Sequence, residues 1–214
     1  MKKAFIIFVM ALVVFSASAS AKGDIKVGGQ VGYEHQSTVF SLGTMSSSYD
    51  VGGVLISATG QYYLADDISI KAEAGLTING KPSVTIKNTS EKETQTGKHN
   101  TPVHFAGYLG GVYDLKLTKE LSLGLGAGLD ILAGRFLSYE EDGSEEFDAN
   151  VGIGLGVEAV GSYEINRQFR VSFGGRFAWH FINTSKAYAE IKEDSEADLN
   201  QFSFQITAGV TYAL

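Results

Sequence analysis

Eight ionisable residues stand on the polar side of otherwise apolar-alternating segments: Lys26, Glu34, Lys71, Glu73, Asp130, Glu158, Arg170 and Arg176. They are four of each sign, and charges held away from water must pair. Lys71 and Glu73 lie two apart on one extended segment and so share a face, while Arg170 and Arg176 line another. Glu158 is expected to reach one of the arginines. Such a set can form an ion-pair gate along a narrow conduit or a satisfied polar plug. An interior bounded by eight strands is just wide enough to be filled by side chains, so a plug is expected and a substantial open pore is not.

Other chemistry is sparse. His35, His99, His104 and His180 have no short metal-ligand spacing, and the absence of cysteine removes disulfides, thiolate metal sites and a lipidated cysteine. The run Gly124-Leu125-Gly126-Ala127-Gly128 is not a dinucleotide loop. Glycine at every second position, repeated at Gly152, Gly154 and Gly156, marks the inner face of a strand. No cofactor is implied. Two acidic clusters, Glu140 to Glu146 and Glu190 to Asp198, are expected on outward loops. There they could bind divalent cations shared with anionic lipopolysaccharide, contact a partner, or remain solvated.

These residues are carried by eight segments of period two: 25–33, 54–64, 68–78, 103–115, 121–133, 151–163, 169–181 and 202–214. The last puts Phe202, Phe204, Ile206, Ala208, Val210, Tyr212 and Leu214 on one side and small polar residues on the other. About ten residues of such alternation suffice to cross a bilayer as a tilted strand. Three connections, after Leu64, Leu117 and Ile165, use three turn-forming residues each. The other four, near 36–50, 79–102, 135–150 and 182–201, are long and polar, and the second has room for an extra hairpin at 83–88. The expected fold is therefore all-β: an eight-stranded antiparallel transmembrane β-barrel with short periplasmic turns and long extracellular loops. A soluble barrel would carry its charges on the outside. Here the polar side is dominated by glycine, serine, threonine and alanine, and the other side holds Phe169, Phe173, Phe177, Trp179 and Phe181. Tyr62, Tyr113 and Tyr163 recur about fifty residues apart just before the short turns, and with Trp179 and Tyr212 are expected at the membrane interfaces.

The first residues fit this destination. Lys2 and Lys3, the apolar run 4–15 and the small residues up to Ala21 read as a secretory signal, cleaved after Ala21 or Ala19. The domains are then a signal peptide over 1–21 and a barrel over 22–214. Loss of Lys2 and Lys3 moves the formal charge from −7 to −9, which argues against nucleic acid as a partner.

With the signal, eight alternating strands, three-residue turns and the closing strand Phe202–Leu214, the chain resembles the small OmpA/OmpX-type outer-membrane barrels and their opacity-protein-like relatives. The resemblance implies a monomer in the bacterial outer membrane, surrounded by lipid and lipopolysaccharide and inserted by the barrel assembly machinery. It implies a non-catalytic role in envelope integrity or in adhesion to an extracellular ligand or host surface. It also implies a terminal aromatic residue where this chain has Leu214. Some barrels of this kind deacylate lipid A with a His-x-Ser-Asn segment. The comparable stretch here is His180-Phe181-Ile182-Asn183, and an isoleucine cannot attack an ester. A lipid A-modifying enzyme and a narrow carrier for small solutes are the alternatives.

Overall fold

A computed structural model describes residues 23–42, 44–87, 92–97, 102–139, 145–166, 168–184 and 198–214. The signal segment 1–21, and of the two acidic clusters residues 140–144 and 190–197, lie outside the described residues.

Among the described residues ten strands form: β1 (Ile25–Leu42), β2 (Met45–Tyr63), β3 (Ile68–Asn79), β4 (Ser83–Lys87), β5 (Lys92–Thr96), β6 (His104–Lys116), β7 (Leu121–Tyr139), β8 (Glu145–Glu164), β9 (Phe169–Asn183) and β10 (Asp198–Ala213). Eight of them, all but β4 and β5, make a closed antiparallel barrel. β1 pairs with β10 on one side and with β2 on the other, so no edge remains in that wall. The small hairpin β4–β5 attaches to the upper part of β2, with Ser46–Asp50 opposite Ser83–Lys87. It is wider than the hairpin expected at 83–88, because its return strand is β5.

The short turns form at the three expected places. Leu64 N, Leu117 N and Ile165 N donate to the carbonyls of Ile68, Leu121 and Phe169 at 2.8–2.9 Å. Two of the turns carry a side-chain acceptor at their first residue. Thr118 Oγ1 accepts from the amides of Glu120 and Leu121, and Asn166 Oδ1 accepts from those of Gln168 and Phe169.

The opposite connections depart from expectation. Residues 36–50 are not a loop: β1 and β2 stay paired up to Leu42 and Met45. The strands bounding 135–150 run to Tyr139 and start again at Glu145, and those bounding 182–201 extend to Asn183 and from Asp198. The apolar alternation stops where burial against an apolar phase stops, but the backbone ladder needs only good strand formers. Serine and threonine continue it.

The partition of side chains is inverted relative to a soluble domain. Among the described residues twenty polar or charged side chains are buried against eight apolar ones, and the large apolar residues are on the outside. Three of the eight, Leu55, Ala106 and Leu132, form one apolar cluster. The outer belt includes Val31, Ile56, Leu76, Leu109, Leu125, Leu155, Phe173 and Phe204, each 40 % exposed or more. Tyr113 and Tyr163 lie on its turn side, and Tyr62 occupies the corresponding place opposite Ile25 and Ile70. Tyr212 meets Phe169 edge to face at 5.2 Å, and Trp179 meets Phe181 in the same manner at 6.0 Å nearer the other end.

Candidate functional site

Strand parity delivers the polar interior, since every second residue of each wall strand faces inward. At the centre, Arg176 of β9 donates to both carboxylate oxygens of Glu73 on β3, at 3.0 and 3.3 Å. Its Nε stands 3.0 Å from Asp130 Oδ2 on β7. Lys71 of β3 donates to Glu158 on β8 at 2.7 Å and lies 3.5 Å from Glu73. His180 Nε2 meets the other oxygen of Asp130 at 2.9 Å. Four strands, β3, β7, β8 and β9, are thus tied together by one charged cluster. The ring of Tyr108, from β6, lies beneath the two cations, with its centroid 4.7 Å from Arg176 Cζ and 5.7 Å from Lys71 Nζ.

A second buried group centres on Glu34 of β1. Gln205 Nε2 donates to one of its oxygens at 3.1 Å, and the other is met by His104 Nε2 at 2.9 Å and by the Thr77 hydroxyl. Asn79 Nδ2 donates to the Pro102 carbonyl and lies 2.9 Å from His104 Nδ1, and the Gln36 side-chain amide meets His104 Nε2 on the side that faces Glu34. Glu34 is therefore held by neutral donors and a histidine rather than by a lysine or arginine.

Toward the short turns the lumen widens into a vestibule of about 550 Å³, lined among others by Lys26, Tyr63, Asp114, Glu164 and Arg170. Lys26 Nζ sits 4.1 Å above the Tyr63 ring, whose hydroxyl donates to Asp114, and Arg170 stands 3.6 Å from Glu164. Above it, a cavity of about 40 Å³ near Gln30, Lys71 and Glu158, room for one or two waters, lies between the vestibule and the central cluster.

Of the eight ionisable residues singled out in the sequence, Lys71, Glu73, Asp130, Glu158 and Arg176 meet in one cluster. Glu34 belongs to the second group, and Lys26 and Arg170 to the vestibule. Glu158 reaches Lys71 and Arg176, not Arg170. Sequence reasoning missed Tyr63, Tyr108 and Asp114, and it did not assign His104 inward. His104, Tyr108 and Asp114 all share the even parity of Gly110, opposite to Phe105, Leu109 and Tyr113, so the spacing carried the signal. The segment from His180 to Asn183 contains a β-bulge. Gly154 is opposite His180 and Ile153 opposite Ile182, which leaves Phe181 without a partner. Phe181 and Ile182 consequently both face outward, whereas His180 is fully buried inside and Asn183 turns in to donate to Gln201.

No protein-family model matches the chain, and no curated protein does either. Among solved structures, the outer membrane protein OprG from Pseudomonas aeruginosa superimposes with a TM-score of 0.56 at 13 % identity, over 90 % of this chain and 96 % of that one. Neisserial surface protein A gives 0.49 at 16 % identity, over 86 % and 96 % of the two chains. The N-terminal barrel domain of Pseudomonas aeruginosa OprF gives 0.49 at 11 % identity, over 90 % and 100 %. With its closed antiparallel wall, apolar exterior and polar interior, the chain has the fold of the small eight-stranded outer-membrane β-barrels.

Proposed function

We propose that this protein is a non-catalytic, monomeric constituent of the bacterial outer membrane, exported with a cleaved signal and inserted by the barrel assembly machinery. It acts through the surface its long hairpins present outside the cell, in envelope integrity or in adhesion. The observation that carries this reading is the inverted partition of side chains together with a lumen crossed by the Arg176 cluster. An apolar belt needs lipid, and a closed lumen leaves the outward surface as the working part. The position of His180 supports a role without catalysis: it lies inside the wall, while Ile182, at the place of a nucleophile, lies outside.

The test is twofold. Purified barrel in planar bilayers is expected to show no stepwise conductance. Deletion of residues 83–96 is expected to reduce attachment to host cells or matrix proteins while the barrel still inserts. Regular conductance steps would favour a second reading, a narrow path for small solutes, for which the vestibule below the central cluster is the supporting observation. Lipid A that changes in mass when the protein is expressed, and not when His180 is replaced, would overturn the non-catalytic reading.

A further inference from the structure

Two cavities follow one another from the short-turn end of the lumen, and Lys26, Asp114 and Arg170 line both of them, which marks a throat between the two. Asp114 accepts from the Tyr63 hydroxyl, while Lys26 rests on the Tyr63 ring and forms no ion pair among the described residues. Glu164, 3.6 Å from Arg170, belongs to the vestibule alone. The throat therefore holds two cations against one carboxylate. Beyond it the smaller cavity has the opposite need. Gln30 and Glu158 line it, 9 % and 6 % exposed, and Oε1 of each is buried with no hydrogen-bond partner. Both atoms are acceptors, so the missing group is a donor. The charge count points the same way. Glu73, Asp130 and Glu158 face only two cations, Lys71 and Arg176, and a proton added at His180 Nδ1 would be buried without an acceptor.

A donor above and an anion below are the two ends of a small zwitterion. Water answers the two acceptors but leaves both charge excesses in place, and an inorganic cation or anion answers one excess while aggravating the other. We propose that the throat binds a small zwitterion whose ammonium and carboxylate lie a few ångströms apart, as in an α-amino acid. The ammonium enters the smaller cavity and donates to Gln30 Oε1 and Glu158 Oε1, and the carboxylate stays in the throat between Lys26 Nζ and the Arg170 guanidinium. The smaller cavity, about 40 Å³, takes an ammonium but not a side chain, which extends instead into the vestibule of about 550 Å³. The site is reached from the short-turn end and does not depend on what the outward hairpins contact.

The experiment is an amide chemical-shift titration of the full chain in phospholipid nanodiscs with L-alanine, alaninamide, N-acetylalanine and inorganic phosphate. Alanine is expected to shift the amides of Lys26, Gln30, Glu158 and Arg170 saturably. Its two analogues, each lacking one charge, should bind at least tenfold more weakly. Arg170→Gln and Lys26→Met should each weaken alanine at least tenfold, and either serves if the other does not insert. Glu158→Gln should weaken alanine but not N-acetylalanine, whereas Lys119→Gln, at the mouth of the vestibule, should leave both unchanged. Absence of saturable shifts with alanine in an inserted barrel would show that water alone fills the smaller cavity, and overturns the site. Phosphate or either analogue binding as well as alanine overturns the zwitterion, and alanine binding that survives both throat variants overturns its placement.

Discussion

The Arg176 guanidinium stands 4.7 Å from the centroid of the Tyr108 ring, and that ring lies over glycines of three adjoining strands. They are Gly110 of β6, Gly126 of β7 and Gly156 of β8. A Cβ at Gly110 would come within 2.3 Å of the Tyr108 hydroxyl, and one at Gly156 would be 3.5 Å from both the ring and Arg176 Cδ. The inner-face glycines make a trough for an aromatic floor, on which the cations rest.

Replacing Tyr108 by leucine removes that floor, including a cation–π contact of about 0.5–2 kcal/mol. Tyr108→Phe keeps the ring and discards a hydroxyl that has no hydrogen-bond partner among the described residues. It should change stability by less than about 1 kcal/mol. Urea unfolding followed by Trp179, the one tryptophan of the chain, distinguishes the two variants.

Arg176→Met leaves Glu73 and Asp130 buried with fewer donors. The cost of breaking a buried ion pair from one side is about 3–5 kcal/mol. Glu73→Gln together with Arg176→Met should recover part of it, a coupling measurable in a double-mutant cycle on the same unfolding curves.

The two glycines flanking Ala127 should respond differently to alanine. At Gly128 the added methyl meets backbone, Gly110 Cα and Leu109 O at 2.4 Å; at Gly126 it meets the ends of Glu158 and Tyr108 side chains at 2.8–3.2 Å. Gly128→Ala is expected to prevent the heat-modifiable gel shift of a folded barrel, and Gly126→Ala to retain it with a lowered unfolding midpoint.

Leu125 projects from the belt beside Tyr113 and Ala159. Leu125→Arg should cost about 2–4 kcal/mol in lipid. Thr94→Arg, on the exposed strand β5, should cost almost nothing. Equal effects of the two substitutions in liposome refolding would contradict the assignment of faces.

Phe181 is the extra residue of the bulge, so its deletion leaves Gly154 opposite His180 and Ile153 opposite Ile182. The shortened chain is expected to fold and insert. Deleting Trp179 instead shifts His180 to the outer face and should abolish folding in the same gel assay.

The wall was legible in the sequence because lipid and a polar lumen impose opposite demands on alternate residues. Phe169 to Phe181 and Ile68 to Ile78 show this with hardly an exception. Strand ends above the belt were not legible, since Ser37 to Ser48 lose the apolar alternation while keeping the ladder. The identity of the plug was half legible. The parity of Lys71, Glu73 and Arg176 placed them inside, but which carboxylate meets which cation depends on barrel closure, a relation between residues 103 positions apart for Glu73 and Arg176. The bulge at Phe181 was hidden because a single outward phenylalanine followed by an outward isoleucine reads as the start of a loop.

The paired extension of β1 and β2 also sets a counting rule for variation at the cell surface. Because successive residues alternate between its two faces, with Ser37 and Ser41 on one and Phe40 on the other, the hairpin can grow or shrink in matched steps of two residues per strand and keep the same face outward. A single inserted residue between Ser37 and Ser41 would exchange the Ser41 side for the Phe40 side beyond that point, turning the tip's chemistry inside out without touching the barrel below.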